Sequence, residues 1–149
     1  IHGRTQKQGY SGTADWNIIK KVKEAINIPV IGNGDVTTPE TFKQRLDESK
    51  VDHIMIARGA IGNPYIFKQV NDYLRTGTYD TKPTLEQYTE LLTNAKKHDL
   101  RFATLKTHAV QFTKGIVGGA RIREELAKCK SIEEVENVLE KAKELKTKC

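Results

Sequence analysis

Hydrophobic and polar residues follow two different spacings in the first half of the chain. Apolar residues of Trp16–Ile26 recur every three or four positions, which predicts an amphipathic helix. Ile28–Ile31 is instead a continuous apolar run, which predicts a strand that is buried on both faces. The succession then repeats, with a helix from Thr38-Pro39 to near Ser49, a strand over Val51–Ala57 and a helix from Asn63-Pro64 to Gly77. This alternation is typical of α/β folds with parallel strands.

The second half of the chain carries only helical spacing. Tyr79–Pro83 is polar and predicts a linker, after which Thr84-x-x-Gln87 and Ser131-x-x-Glu134 have the pattern of helix capping boxes. Apolar residues at helical spacing follow, namely Phe102, Leu105, Ala109, Phe112 and Ile116, then Ile132, Val135, Val138, Leu139, Ala142 and Leu145. About four helices predict a small all-α helical bundle over residues 84–149, beside an α/β region over residues 1–78.

The beginning of the chain indicates that further structure belongs with it. His2-Gly3-Arg4-Thr5 is a loop motif without a strand in front of it, and the predicted strands are too few to close a barrel. An isolated parallel edge rich in Ile and Val would be prone to associate. We therefore expect either a missing N-terminal barrel half or self-association.

Composition narrows the class of protein. The chain has 149 residues, of which 37% are hydrophobic and 30% charged, and this balance argues against disorder. Two cysteines, Cys129 and Cys149, exclude a disulfide scaffold and a four-cysteine zinc site. The histidines likewise lack metal-ligand spacing. Without a transmembrane-length apolar run or a signal peptide, the expected location is the cytoplasm.

Two glycine-containing loops follow the predicted strands and are the first candidates for a ligand site. Gly32-Asn33-Gly34-Asp35 offers close backbone approach to an anion, and Ala57-Arg58-Gly59 adds a guanidinium. Taken singly, the first is more often an ordinary turn and the second a surface arginine paired with a carboxylate. On successive parallel strands, however, they predict a phosphate site like that after the last two strands of many (β/α)₈ barrels.

Basic residues supply a second candidate site. The net charge is +6, and Leu100–Arg123 contains no acidic residue. Its basic residues are Arg101, Lys106, Lys114, Arg121 and Arg123. Such a cluster is either a solvated helix face or a contact for RNA phosphates. His2 and Arg4 lie in a polar loop, where a histidine either faces solvent or binds a cofactor or substrate carbonyl.

Motif blocks in the first 67 residues resemble the tRNA-dihydrouridine synthase family. They are His2-Gly3-Arg4-Thr5, Gln8-Gly9-Tyr10-Ser11-Gly12-x-Ala14-Asp15-Trp16, Ile28-Pro29-Val30-Ile31-Gly32-Asn33-Gly34-Asp35, and Ala57-Arg58-Gly59-Ala60-Ile61-Gly62-Asn63-Pro64-Tyr65-Ile66-Phe67. His108–Arg123 is similar to the helical tail of that family, although Thr107 and Gln111-Phe112 depart from the residues usual there.

The resemblance implies the C-terminal portion of such an enzyme, with the last βα units of a (β/α)₈ TIM barrel followed by a helical domain. It implies FMN as cofactor, NADPH as reductant and reduction of a tRNA uridine at its C5–C6 bond. The residues expected to bind FMN are His2, Asn33, Gly34, Asp35, Ala57 and Arg58. The candidate RNA contacts are Arg4, Lys106, Lys114, Arg121 and Arg123.

The resemblance also implies that part of the catalytic machinery lies elsewhere. The family's proton-donating cysteine and a flavin-contacting lysine belong to the first half of the barrel. No catalytic residue and no metal ligand is therefore predicted here, and this chain alone is expected to be inactive. Two other functions stay open. A small-molecule FMN barrel oxidoreductase would share the Arg-Gly loop without needing the basic helices, and a non-catalytic RNA-binding module would use only those helices.

Overall fold

A computed structural model of the chain describes residues 1–146. The chain divides into two compact units. The first, called the α/β unit, consists of Ile1–Ala60 and Tyr65–Thr81. The second, called the helical unit, consists of Ile61–Pro64 and the chain from Lys82 onward. None of the helices among the described residues has both the length and the hydrophobicity that crossing a membrane requires.

The α/β unit is built on two short parallel strands, β1 (Ile31–Asn33) and β2 (His53–Met55), with Asn33 opposite Met55. The first residues of the chain extend this arrangement on the other side of β1. His2 bridges to Asn33 in parallel, and the Asn33 N–H donates to the Ile1 carbonyl at 2.9 Å. β1 therefore lies between two neighbours, and His2, Asn33 and Met55 meet at one edge.

The strands differ from the prediction in their bounds and in their burial. β1 begins at Ile31 and not at Ile28, because Pro29 has no N–H and the Val30 N–H donates to an Asp52 side-chain oxygen at 2.7 Å. β2 is likewise shorter than the predicted Val51–Ala57.

The prediction that both faces of the strands are buried is wrong for this chain. Ile31 is 52% exposed and Met55 is 54% exposed. The opposite face is covered, since a Cβ on Gly32 would lie 2.6 Å from the Trp16 ring. The described residues thus form one apolar layer behind the strands and leave apolar side chains in front of them.

Helices α1 (Trp16–Ala25) and α2 (Pro39–Ser49) form that layer, and they confirm the predicted elements. Asp15 caps α1 by accepting from two backbone N–H groups, and Thr38 caps α2 with Pro39 as the first helical residue. The core between the helices and the strands consists of Ala14, Trp16, Ile19, Val30, Val36 and Val51.

Helix α3 (Ile66–Thr76) follows and ends at Gly77, as predicted, with a left-handed φ of 77° at the glycine. Its start differs from the prediction. The helix begins at Ile66 with Tyr65 as its N-cap, and Ile61–Pro64 belongs to the helical unit. Asn63-Pro64 is therefore a connecting turn and does not open the helix.

The helical unit contains α4 (Thr84–Lys97), α5 (Phe102–Phe112), α6 (Gly119–Lys128) and α7 (Ile132–Lys146). Their shared core includes most of the predicted apolar faces, with Leu105, Ala109, Phe112, Val135, Leu139 and Ala142 buried. Tyr88 stacks on Phe112 with ring centroids 4.9 Å apart and donates to the Leu105 carbonyl at 2.9 Å. Phe112 is thus a core residue, as its place on the apolar face predicted. The Leu145 side chain and Cys149, which the sequence analysis also named, lie outside the part that the structure describes.

The two predicted capping boxes have different outcomes. Ser131 accepts from the Glu134 N–H at 3.3 Å, which confirms the half of the second box in which the serine caps the helix; the Glu134 side chain accepts from the Lys130 N–H at 2.8 Å and not from the Ser131 N–H. Thr84 is already the first helical residue behind Pro83, so the first box is wrong. The Gln87 side chain reaches back to the Lys82 carbonyl.

Candidate functional site

A cavity of about 360 Å³ opens in the α/β unit where the strands end. It is lined by His2, Asn33, Gly34, Asp35, Val36, Thr37, Met55, Ala57, Arg58 and Gly59. Every residue that the sequence proposed for FMN is in this list. Three chain segments therefore form the site, because parallel pairing brings the ends of the strands to the same edge of the sheet. This edge is where α/β folds bind ligands.

The loop after β1 turns sharply and needs glycine to do so. Gly34 has a φ of 137°, and a Cβ there would lie 2.5 Å from the Ala14 Cβ. Asp35 follows in the left-handed region with a φ of 53°, which is uncommon for a residue with a side chain. The Trp16 indole N–H fixes the turn by donating to the Gly34 carbonyl at 3.0 Å.

The loop after β2 rests directly on the first loop. A Cβ on Gly59 would lie 2.2 Å from the Val36 carbonyl oxygen, so the contact is possible only for glycine. The Asn33 side-chain N–H donates to the Met55 carbonyl at 2.7 Å and ties the two strand ends together. The backbone of both loops is thereby held in place around Arg58.

Three charges meet at the cavity, and their balance is positive. Arg4 forms a two-pronged ion pair with Asp35, with N···O distances of 2.9 and 2.6 Å. Arg58 approaches the same carboxylate at 3.5 Å. Hydrogen bonding by Arg4 is the largest cause that lowers the pKa of Asp35 below its ordinary value. Because Arg4 neutralises Asp35, the positive charge of Arg58 remains for an incoming anion.

Arg4 is an internal residue, and this placement does not support the RNA contact proposed from the sequence. Its side chain is 5% exposed. Besides Asp35 it binds the Ser11 and Gly12 carbonyls at 3.2 and 2.7 Å. A guanidinium with these partners organises the loop and is not available to a phosphate in solution.

His2 offers one defined hydrogen-bond donor to the cavity. Its Nδ1 accepts from the Arg4 backbone N–H at 2.9 Å, so in the neutral ring the proton lies on Nε2. His2 is exposed and lines the cavity. The Nε2–H group is therefore able to donate to a carbonyl of a bound ligand.

Sequence reasoning missed one residue next to Arg58. The Tyr10 ring lies under the guanidinium, with Arg58 Cζ 4.4 Å from the ring centroid. Tyr10 belongs to a motif block but had been given no role. The signal that could have found it is an aromatic residue between two glycines, Gly9 and Gly12, in an otherwise polar loop.

The basic residues of the helical unit fall into two groups. Lys106 donates to the Cys129 carbonyl at 3.0 Å, and Arg123 donates to the Thr113 carbonyl at 3.1 Å, so both hold the unit together. Lys114 is exposed in the turn after α5. Arg121 is exposed on α6, where it pairs with Glu125 at 3.3 Å. Of the proposed RNA contacts, Lys114 and Arg121 are those that the structure leaves accessible.

Cys129 is a structural residue of the helical unit. It is buried, and its thiol donates to the Glu125 carbonyl at 3.4 Å. Burial is the largest cause that raises the pKa of the thiol. A buried thiol with a raised pKa is a poor nucleophile or acid at neutral pH.

Comparisons with known proteins agree with the motif blocks. Residues 1–147 match the family model described as dihydrouridine synthase (Dus). A Synechocystis protein named probable tRNA-dihydrouridine synthase 1 is 34% identical over 149 aligned residues, which cover 95% of this chain and 42% of the relative. The Aquifex aeolicus probable tRNA-dihydrouridine synthase is 30% identical over 146 residues, covering 97% of this chain and 46% of the relative.

A third relative aligns over a shorter stretch. The Rickettsia bellii probable tRNA-dihydrouridine synthase is 46% identical over 92 residues, which cover 62% of this chain and 28% of the relative. The chain spans less than half the length of each of these relatives. The family model nevertheless covers nearly all of the chain. The chain therefore belongs to the dihydrouridine synthase family.

Proposed function

We propose that this chain forms the phosphate end of an FMN site and part of an RNA-binding surface in a tRNA-dihydrouridine synthase of the cytoplasm. In this proposal the α/β unit is the last part of a (β/α)₈ barrel, and the helical unit is the domain that follows it. The observation that carries the proposal is the cavity at the strand ends, where Arg58 is the cation in excess.

The residues present fit a flavin mononucleotide phosphate. Glycines at both loops bring the backbone to the cavity wall, and a Cβ at Gly34 or Gly59 would collide with neighbouring atoms. The cluster of Arg4, Arg58 and Asp35 holds two positive charges and one negative charge, which leaves a net attraction for an anion. A volume of about 360 Å³ accommodates a ribityl phosphate beside these groups.

Each residue has a defined task in the proposed site. Bound FMN would carry reducing equivalents from NADPH to the C5–C6 bond of a tRNA uridine. Arg58 binds the phosphate, while Asn33, Gly34 and Asp35 shape the turn that the phosphate approaches. His2 donates its Nε2–H to a carbonyl of the ring system. We assign no general acid to the described residues; the Cys129 thiol is buried in the core of the helical unit.

The exposed strand face supports a barrel whose other strands are supplied from outside the described residues. Ile31 and Met55 present apolar side chains there, and such surface is normally covered. The rest of the polypeptide or a second copy would complete the layer. The first arrangement matches the greater length of the relatives.

The helical unit is proposed to contact the tRNA backbone through Lys114 and Arg121. Both are exposed, and Lys114 stands in a turn with Gly115, whose φ is 71°. Within the part of the chain that the structure describes, Lys114 forms no ion pair with a carboxylate, so its cation is able to approach a phosphate. Arg123 holds the Thr113 carbonyl beside Lys114, and Lys106 holds the Cys129 carbonyl after α6.

The test of the phosphate site is a comparison of two flavins on one chain. FMN and riboflavin are titrated by fluorescence quenching, because they differ only in the phosphate. We expect FMN to bind more tightly, and Arg58→Ala to weaken FMN by about 10- to 100-fold with little effect on riboflavin. Arg75→Ala is the matched control, since Arg75 is an exposed arginine of α3 paired with Asp72. Equal affinity for both flavins, or an unchanged affinity of Arg58→Ala for FMN, would contradict the proposal.

A further inference from the structure

The Arg58 guanidinium is only weakly fixed by its charge partner. Its distance of 3.5 Å from Asp35 is long for a hydrogen bond, and Asp35 is already bound twice by Arg4. Half of the Arg58 side chain is exposed. An arginine with these contacts alone would sample many rotamers, and binding an anion would require that freedom to be lost.

The Tyr10 ring supplies the missing constraint. The Arg58 Cζ lies 4.4 Å from the ring centroid, which is within the range of a cation–π contact. Tyr10 itself is 79% exposed, so the ring has little other packing. A tyrosine that is this exposed and still stacks on the ligand-binding arginine is placed there by its backbone.

The backbone on both sides of Tyr10 is held by specific contacts. Before it, Thr5 and Gln8 cap a single 3₁₀ turn, Gln6–Gln8, in a reciprocal pair of hydrogen bonds. After it, the buried Arg4 binds the Ser11 and Gly12 carbonyls. Arg4 thus grips the Tyr10 loop and the Asp35 carboxylate with the same guanidinium.

We propose that Tyr10 is a positioning residue for anion binding, which holds the Arg58 guanidinium at the mouth of the cavity by stacking on it. The inference rests on the proposed phosphate site and adds a residue to it. Arg4 fixes the positions of the Tyr10 loop and the Asp35 carboxylate through its hydrogen bonds. These two groups in turn contact the Arg58 guanidinium and fix its position. Anion affinity consequently depends on an aromatic ring that is not among the residues lining the cavity.

A spectroscopic measurement tests the stacking without any flavin. Protons of Arg58 that lie over an aromatic face are shifted upfield in the NMR spectrum of the chain. We expect that shift in the wild-type chain and in Tyr10→Phe, and its loss in Tyr10→Ala. An Arg58 side chain whose resonances are the same in Tyr10→Ala as in the wild type would overturn the inference.

A binding measurement tests the consequence for the anion. We expect Tyr10→Ala to weaken FMN by about two- to five-fold while riboflavin is unaffected, and Tyr10→Phe to restore wild-type affinity. In an Arg58→Ala background, Tyr10→Ala is expected to have no further effect. Equal losses for both flavins, or a loss that persists without Arg58, would reduce Tyr10 to a structural residue and overturn the inference.

The two proposals fail in distinguishable ways. If Arg58→Ala weakens FMN but Tyr10→Ala does not, the phosphate site stands and the role of Tyr10 is wrong. If Arg58→Ala leaves FMN binding unchanged, the phosphate site itself is wrong and the role of Tyr10 is overturned with it.

Discussion

The two units use their basic residues in different ways. In the α/β unit, Arg4 and Arg58 converge on one carboxylate, and the buried arginine leaves the exposed one with its charge in excess. In the helical unit, Lys106 and Arg123 are bound to backbone carbonyls while Lys114 and Arg121 face solvent on separate segments. The role of a basic residue can therefore be inferred only when its hydrogen-bond or ion-pair partner is known. Two arginines that converge on one carboxylate suit the binding of a single phosphate group. Exposed cations on separate segments suit contacts along an extended nucleic-acid backbone.

The largest effect is expected from removing one of the two arginines that converge on Asp35 in the α/β unit. Arg4→Ala leaves Asp35 without its main partner and frees the Ser11 and Gly12 carbonyls. We expect the free energy of unfolding to fall by about 2–3 kcal/mol, because four hydrogen bonds made by an arginine side chain that is only 5% exposed are lost. Urea unfolding followed by fluorescence measures it for this unit, since Trp16 is the single tryptophan of the chain.

The control for this prediction is Arg75→Ala, which removes an exposed arginine of the same unit. Its expected cost is below about 1 kcal/mol, as for surface ion pairs. If Arg4→Ala costs no more than Arg75→Ala, the guanidinium of Arg4 does not organise the site.

A smaller effect is expected from removing single lysines of the helical unit, and it tests the difference between exposed and internal cations. Lys114→Ala is expected to lower the slope of log affinity against log salt for tRNA by about one, because one phosphate contact is lost. Lys106→Ala removes a cation that is bound to the Cys129 carbonyl, so we expect it to leave the slope unchanged. Filter binding of tRNA to the full chain over a series of salt concentrations measures both slopes. Equal slopes for the two variants would contradict the division into exposed and internal cations.

The smallest expected effect concerns pH. Arg4 lowers the pKa of Asp35, so the ion pair contributes stability above the ordinary aspartate pKa of about 4 and loses it as the pH falls through the lowered value. The stability difference between the wild type and Asp35→Asn is therefore expected to be constant near neutrality and to shrink below about pH 4. Unfolding of both proteins between neutral and acidic pH checks this, and a difference independent of pH would contradict it.

The sequence predicted best what depends on neighbouring residues. Helix α2 was predictable because Thr38-Pro39 specifies its start, and the cap and the first turn are local. β1 was misplaced because Asp52, 22 residues away from Val30 along the chain, takes its N–H. The meeting of Asn33 and Arg58 at one cavity followed from the rule that parallel strands end together, whereas His2 was assigned to it through the family resemblance.

Contacts between distant side chains could not be predicted. The sequence does not distinguish an arginine that faces a phosphate from one that faces a carboxylate, and so Arg4 and Arg58 were given separate tasks although Asp35 joins them. The stacking of Arg58 on Tyr10 depends on a loop whose shape is set by Arg4. Charge alone likewise could not separate Lys106 from Lys114.

The hydrogen bond from the Asn33 side chain to the Met55 carbonyl also bears on the chemical ageing of the protein. An asparagine followed by glycine is open to attack of the next backbone nitrogen on its side-chain amide, because glycine adds no side chain to hinder the ring closure. In the folded chain the amide is turned toward β2, and the Asn33 backbone is paired with Ile1 and Gly3. We therefore expect folding to slow the conversion of Asn33 to aspartate, which would set a second negative charge beside Asp35.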